Sequence, residues 1–412
     1  MNKKAIFTIC AKNYLAQALT LKESTIKNNI DVDFYLVLAD QTSPEIGDVE
    51  TELLSSEWCP DWESMAFKYN VIEFSTSVKP FYFDYLFKKG YEKVVYLDPD
   101  IYVVDKLDVV FDALNDKSIV LTPHYCDIVE EFNGAVSEST FMNDGVFNLG
   151  FCAIKNNNVG VEIVKWWKNR LHTKCYSQPN EGYFTDQKWM DFIPAFFPND
   201  VCVTHHFGLN NAIWNLHERS LIYENGKYFV RRKKNEELYP LIFFHFSGFD
   251  PFNKEVINRR HADYNIHVYP SFKPIIEEYR KMIYNNGFDK YHNLLYSLNY
   301  FSDSTPVTPL HRRLYRVYIE QGGSIICPFS TESEFYNLLK RKGLLMKAGK
   351  SKEGLKKTYS SQELDKAHRI ENTIIYPILR IFYKLLGYKK YTMLVDLTKK
   401  MSLLEYHSFL LK

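Results

Sequence analysis

Two carboxylates one residue apart, Asp98 and Asp100, lie within the run VVYLDPDIYVV at residues 94–104. On extended backbone, side chains at i and i+2 point to the same side. Pro99 between them favours that extended form, because its ring fixes φ and restricts the residue before it. Two hard oxygen ligands on one face suit Mg²⁺ or Mn²⁺, with diphosphate oxygens to complete the octahedron. A charged loop at a strand end is the plainer reading of the same residues. Another apolar run leads into HFSGFDP, residues 245–251. There His245 offers an imidazole to the same ion, and Gly248 offers a backbone N–H that no side chain shields from a phosphate. Taken alone, His245 reads as a core histidine beside a turn. Its combination with Asp98 and Asp100 singles it out.

Two further stretches carry polar groups among aromatics. FMNDGVFNLGFCAIKN, residues 141–156, sets Asn143, Asp144 and Asn148 beside Gly145 and Gly150. Amides there read sugar hydroxyls by paired donors and acceptors, or simply serve turns. EGYFTDQKWMDFIP, residues 181–194, holds Asp186 and Gln187 in a helix-like segment whose bland reading is a solvated face. The aromatic-rich NNAIWNLHERSLIY, residues 210–223, holds Trp214 and His217, which offer rings to stack on or hydrogen-bond to a sugar. Core packing is the plainer expectation for Trp214.

Alternating strands and helices must position these groups. KAIFTIC reads as a strand, NYLAQALTLKESTIKNN as a helix, and DVDFYLVLAD as a strand ending at Asp40. KYNVIEF reads as a strand, KPFYFDYLFKKG as a helix stopped by Gly90, and EKVVYLD as a buried strand ending at Asp98. SIVLTPHY, FNLGFCAIKN and LIFFHFSGFDP add strands, and GVEIVKWWKNRLHTKC a helix. Such alternation predicts an α/β fold with a mostly parallel central sheet flanked by helices. Ligands of these sheets sit beyond the carboxyl ends of the strands, where Asp40 and Asp98 lie.

Composition bounds the rest. The chain has 412 residues, with 51 Lys+Arg against 50 Asp+Glu. Residues 301–412 hold 20 basic and 10 acidic residues, leaving 31 and 40 for residues 1–300. That balance argues against a globally basic nucleic-acid binder and for a basic segment with its own partner. The seven cysteines form no CxxC pair, which fits reduced thiols in a cytoplasmic protein. The N-terminus lacks the long apolar core of a secretory signal, and no run reaches the length of a spanning helix. Beyond residue 265 helical patterns dominate and Lys becomes frequent; the stretch at 341–369 is polar. The expected division is therefore 1–264 and 265–412.

The order strand–Asp40, Lys79, Asp98-x-Asp100, Asn148-x-Gly150, Asp186-Gln187 and His245-x-x-Gly248 resembles the GT-A glycosyltransferases. It is most similar to the retaining enzymes of glycosyltransferase family 8, and to bacterial transferases of surface polysaccharides. The likeness covers about residues 4–255. It implies a uridine pocket lined by Thr8, Ile9, Cys10, Ala11 and Tyr14, with Asp40 reading the base edge. Lys79 matches a basic residue on the donor's diphosphate or sugar, and Asp98, Asp100 and His245 match the metal ligands. Asn143, Asp144, Asn148 and Asp186 fall at sugar-binding positions, Gln187 near the anomeric carbon, and Gly248 at a phosphate. One departure stands out: the family's turn continues to a lysine, but this chain has Phe249, Asp250 and Pro251, and Lys254 is the next lysine.

The resemblance implies a Mn²⁺- or Mg²⁺-dependent transferase that uses a UDP-sugar donor and a glycan or lipid-linked saccharide acceptor. It would work in bacterial surface glycan synthesis, such as that of lipopolysaccharide. A nucleotide-sugar-binding module without transfer, or a protein-glycosylating transferase, is the alternative. A sugar nucleotidyltransferase would want a Gly-rich basic loop after the first strand, and ICAKNYLAQAL is not one. Residues 265–412 lie outside the resemblance. Their Lys, Tyr, Leu and Ile content suits either an anionic membrane surface on the inner face of the cell membrane or a helical accessory domain.

Overall fold

A computed structural model describes residues 3–261, 263–346 and 369–412. Most of the polar stretch 341–369 lies outside them. The strands, in chain order, are β1 Lys4–Cys10, β2 Asp33–Leu38, β3 Glu52–Leu53, β4 Lys93–Leu97, β5 Ile101–Val103, β6 Ile119–Leu121 and β7 Phe151–Lys155. They continue with β8 Ser177–Gln178, β9 Tyr183–Phe184, β10 Val201–Val203, β11 Arg219–Glu224, β12 Lys227–Arg232, β13 Leu238–Pro240 and β14 Phe243–His245. Seven form the central sheet in the order β10-β6-β7-β4-β1-β2-β3. All neighbours in it are parallel except β7, which runs antiparallel to β4 and β6. The expected α/β class with a mostly parallel sheet is what forms. Helices cover the sheet, so β4 is buried at every residue, which is why its sequence is a continuous apolar run.

One expected strand is a helix. KYNVIEF contributes to the helix Val71–Ser77, whose Glu73, Phe74 and Ser77 are buried while Ile72 is exposed. That spacing is helical, and packing overrides the β preference of Val71 and Ile72.

The chain forms two compact units. The first comprises Met1–Trp62 and Val71–Tyr296, so it continues past residue 264. The reason is the helix Lys273–Asn285, which buries Ile275, Ile276, Tyr279 and Ile283 in the same cluster as Leu36, Phe244 and Phe246. The second comprises Glu63–Asn70 and Ser297–Lys412. Its core joins Phe67, Phe301, Leu314, Tyr315, Phe335 and Leu339. The buried Arg312 donates to the carbonyls of Ala66, Phe67 and Tyr69 at 2.7, 3.0 and 2.6 Å. It thereby satisfies the carbonyls left unpaired at the end of the helix Trp62–Lys68.

Candidate active site

β4 ends at Leu97, and Pro99 carries the backbone over to β5. The turn is pinned by the Asp98 N–H donating to Gly150 O at 2.7 Å and the Ile101 N–H donating to Asp98 O at 3.0 Å. β14 pairs antiparallel with β5, setting His245 opposite Ile101. This pairing brings a residue far along the chain to the two carboxylates. His245 Nε2 lies 3.1 Å from Asp100 Oδ1 and 3.9 Å from Asp98 Oδ2. One ligand atom from each of the three lies within 4.8 Å of the others, the two carboxylates partly exposed and the imidazole buried.

His245 is oriented from behind. Its Nδ1–H donates to Asn148 Oδ1 at 3.2 Å, which turns Nε2 toward the carboxylates. Trp214 packs edge-on to the ring at 5.1 Å. Burial alone would hold the imidazole pKa down, but the charges of Asp100 and then Asp98 outweigh it and raise the value. Burial likewise opposes the charge on Asp100, yet His245 draws its pKa below the ordinary one. Two carboxylates with one imidazole are a donor set that fits Mn²⁺ or Mg²⁺ with open positions left for other oxygens.

A second charged layer lies beneath. Lys79, at the start of the helix Lys79–Lys88, is 1 % exposed. Its ammonium pairs with Asp186 Oδ2 at 2.8 Å and Asp98 Oδ1 at 3.6 Å, donates to Leu149 O at 2.8 Å, and sits 4.1 Å from the Tyr96 ring centre. Tyr96 donates its hydroxyl to the same Asp98 oxygen at 2.6 Å. Burial works against the Lys79 charge, but Asp186 and Asp98 overcome it and keep the lysine cationic. Asp186 is pushed up by burial even though Lys79 pulls it down.

Gln187 is locked as well. Its Oε1 accepts from Leu149 N–H at 3.1 Å, and its Nε2 donates to Asp144 O at 3.0 Å. Asp186 and Gln187 are thus buried rather than on a solvated helix face. Asp144 is half-buried, and burial raises its carboxyl to about 6 against a smaller opposing pull from Lys188.

The structure therefore gathers Lys79, Asp98, Asp100, Asp144, Asn148, Asp186, Gln187 and His245 into one network. Beside it, Tyr14 and Gly248 line a cavity of about 360 Å³ together with Asp100, Phe246, Arg259 and Tyr279. Other expected residues fall elsewhere. Thr8 and Ala11 are buried in and just after β1. Asp40 is buried and accepts from the Gln41 and Lys12 N–H groups at 2.8 and 3.4 Å, so it ties its own loop to the segment after β1. Asn143 is exposed on the helix Glu138–Asp144. Lys254 is exposed and does not line the cavity. Trp214 is buried, as its plainer reading had it. Sequence reasoning missed Tyr96, whose i, i+2 relation to Asp98 places it on the same side of the strand, and Arg259, for which the sequence holds no signal.

No family model matches the chain. It is 28% identical over 179 residues to the uncharacterized protein YfnF of Bacillus subtilis (strain 168), over 43% of this chain and 57% of that protein. The chain thus matches little more than half of that relative's length. It is 23% identical over 252 residues to the uncharacterized protein YfnD of the same organism, over 59% of this chain and 76% of that protein. Among solved structures it is similar to the galactosyltransferase LgtC in complex with donor and acceptor sugar analogues, at 16% identity and a TM-score of 0.39. That match covers 68% of this chain and 95% of the other. It is also similar to the glycosyltransferase GlyE of Streptococcus pneumoniae TIGR4, at 17% identity and a TM-score of 0.36, over 73% of this chain and 67% of that one.

Proposed function

We propose that this chain is a metal-dependent glycosyltransferase. It moves a sugar from a nucleoside diphosphate donor, UDP-hexose or UDP-N-acetylhexosamine, to an acceptor hydroxyl with retention, in bacterial surface glycan synthesis. The observation that carries the reading is the Asp98–Asp100–His245 cluster, whose Asp100 lines a cavity that also presents Gly248. A divalent ion held by those three residues supplies neutralisation of the charge that builds on the leaving diphosphate.

The chain's own residues do the rest. Asn148 fixes the ring of His245, and Tyr96 and Lys79 fix Asp98, so the ligands are held before any donor arrives. Lys79 contributes as a buried positive charge behind Asp98 rather than by touching the donor, because it is sealed from solvent. The positive charge that develops at the anomeric carbon needs a fixed dipole beside it. Gln187 Oε1, held by Leu149 N–H, keeps a second lone pair for that task. The acceptor's proton passes to the departing phosphate, so no side-chain base is required.

A donor panel assayed for nucleotide release with Mn²⁺, with and without EDTA, tests the reading. Release should depend on the metal and fall at least about 10³-fold in Asp98→Asn, equivalent to roughly 4 kcal/mol of barrier. Undiminished release in that variant rejects the proposal. Donor binding without release leaves a nucleotide-sugar-binding module, and an inverted product rejects retention.

The second unit supports a place at an anionic membrane surface. The helix Tyr376–Met401, interrupted at Gly387, buries no residue and exposes Ile378, Ile381, Phe382, Leu385 and Leu397. Residues 369–412 carry eight Lys+Arg against three Asp+Glu. Each basic residue near such a surface contributes about 1 kcal/mol. None of the described helices is long and apolar enough to cross a membrane. The full chain should float with phosphatidylglycerol vesicles and not with phosphatidylcholine, and Lys389→Glu/Lys390→Glu should reduce flotation. Equal flotation of that variant rejects the electrostatic contribution.

A further inference from the structure

The turn at His245–Gly248 is held by a segment outside its motif. Buried Asn258 donates from Nδ2 to Ser247 O, and its Oδ1 accepts from Arg260 N–H at 2.8 Å. The Arg259 N–H donates to Gly248 O at 2.9 Å. Gly248 has a φ of +73°, and a Cβ on it would lie 2.7 Å from Asn258 Nδ2, so only glycine lets the two segments close. Residues 258 and 259 are therefore tied to the turn by two hydrogen bonds, and a third orders Arg260 on Asn258.

This sets Arg259 and Arg260 on a segment fixed beside the turn. Both arginines are exposed, and neither side chain makes a hydrogen bond or ion pair among the described residues. Arg259 lines the cavity that contains Asp100 and Gly248, and is the one Lys or Arg among its described lining residues. The other nearby cations are committed: Lys79 is buried on Asp186 and Lys12 lies 4.0 Å from Asp40.

A planar guanidinium matches the spacing of phosphate oxygens, and an unpaired one at a cavity mouth awaits an anion. We propose that Arg259 and Arg260 form the anion clamp of this cavity and bind the diphosphate of the donor, the role for which the turn itself carries no lysine. The inference rests on the transfer reading for the identity of the ligand, but it can fail or hold independently of turnover.

Calorimetric titration of the full chain with inorganic pyrophosphate and Mn²⁺ tests it. Arg259→Ala and Arg260→Ala should each weaken binding at least about 5-fold, and together at least about 30-fold, with an unchanged unfolding midpoint. Arg259→Lys should fall between wild type and Arg259→Ala, because it keeps charge but loses the fork. Lys254→Ala should bind as wild type does. Wild-type affinity in the double variant, no binding by the wild type, or a loss confined to Lys254→Ala overturns the clamp. Pyrophosphate held by these arginines in a protein that turns over no donor would reject transfer and keep the clamp. Full transfer by the double variant would do the reverse.

Discussion

Asp40 and Asp98 arise from the same local pattern, an apolar parallel strand that runs into a carboxylate, and they end in opposite states. Asp40, just past β2, is buried, and its oxygens accept from Gln41 N–H in its own loop and from Lys12 N–H after β1. Asp98, past β4, has one oxygen held by Tyr96 and Lys79 and the other 3.9 Å from His245. The difference is what lies across from the strand end. The turn from β4 into β5 carries Asp100, and β14 pairs with β5 and brings His245, whereas the segment that faces Asp40 brings Lys12 and no further ligand. A strand-end carboxylate becomes a candidate site only when the segment that faces it brings further ligands.

Lys79 offers the largest way to break this contrast. Removing it leaves Asp186 buried without its cation, and breaking one side of a buried pair costs about 3–5 kcal/mol. Lys79→Met should lower the urea midpoint accordingly, and Lys79→Met/Asp186→Asn should recover part of the loss. A cost below about 1 kcal/mol would mean that the layer under Asp98 does not hold it in place.

A smaller effect belongs to Asn148, the residue behind His245. Losing a partner that orients a ligating histidine costs about 10–100-fold in metal affinity. Asn148→Ala should weaken Mn²⁺ binding within that range, while Asp40→Asn should leave it unchanged. Equal losses in both variants would erase the distinction between the two strand ends.

These particulars show what the chain made legible. β1 and β4 were readable because strands buried on both faces are continuous apolar runs, and Asp98-x-Asp100 was readable because extended backbone has a period of two. Val71–Ser77 misled because Val, Ile and Phe favour strands, while tertiary packing decided its state. Asp186-Gln187 looked solvated because nothing nearby in the sequence marks Lys79 and Leu149 as their partners. Arg259 and Arg260 were silent for the same reason: their place depends on Asn258 reaching back to Ser247.

The smallest expected effect concerns Asp144, and here pH gives the sign. Burial raises its folded pKa to about 6. As pH rises from about 4, an unfolded carboxyl loses its proton first. The folded form holds its proton longer, so the unfolded state gains stability until pH passes about 6. Above that the penalty is complete, and because the group is half exposed it is on the order of 1 kcal/mol rather than the full value of the shift. Asp144→Asn removes the titrating group. The variant should match wild type in urea midpoint near pH 4 and exceed it by that amount at pH 7 and above. A difference that stays constant across this range would show that the carboxyl is not buried as the raised value requires.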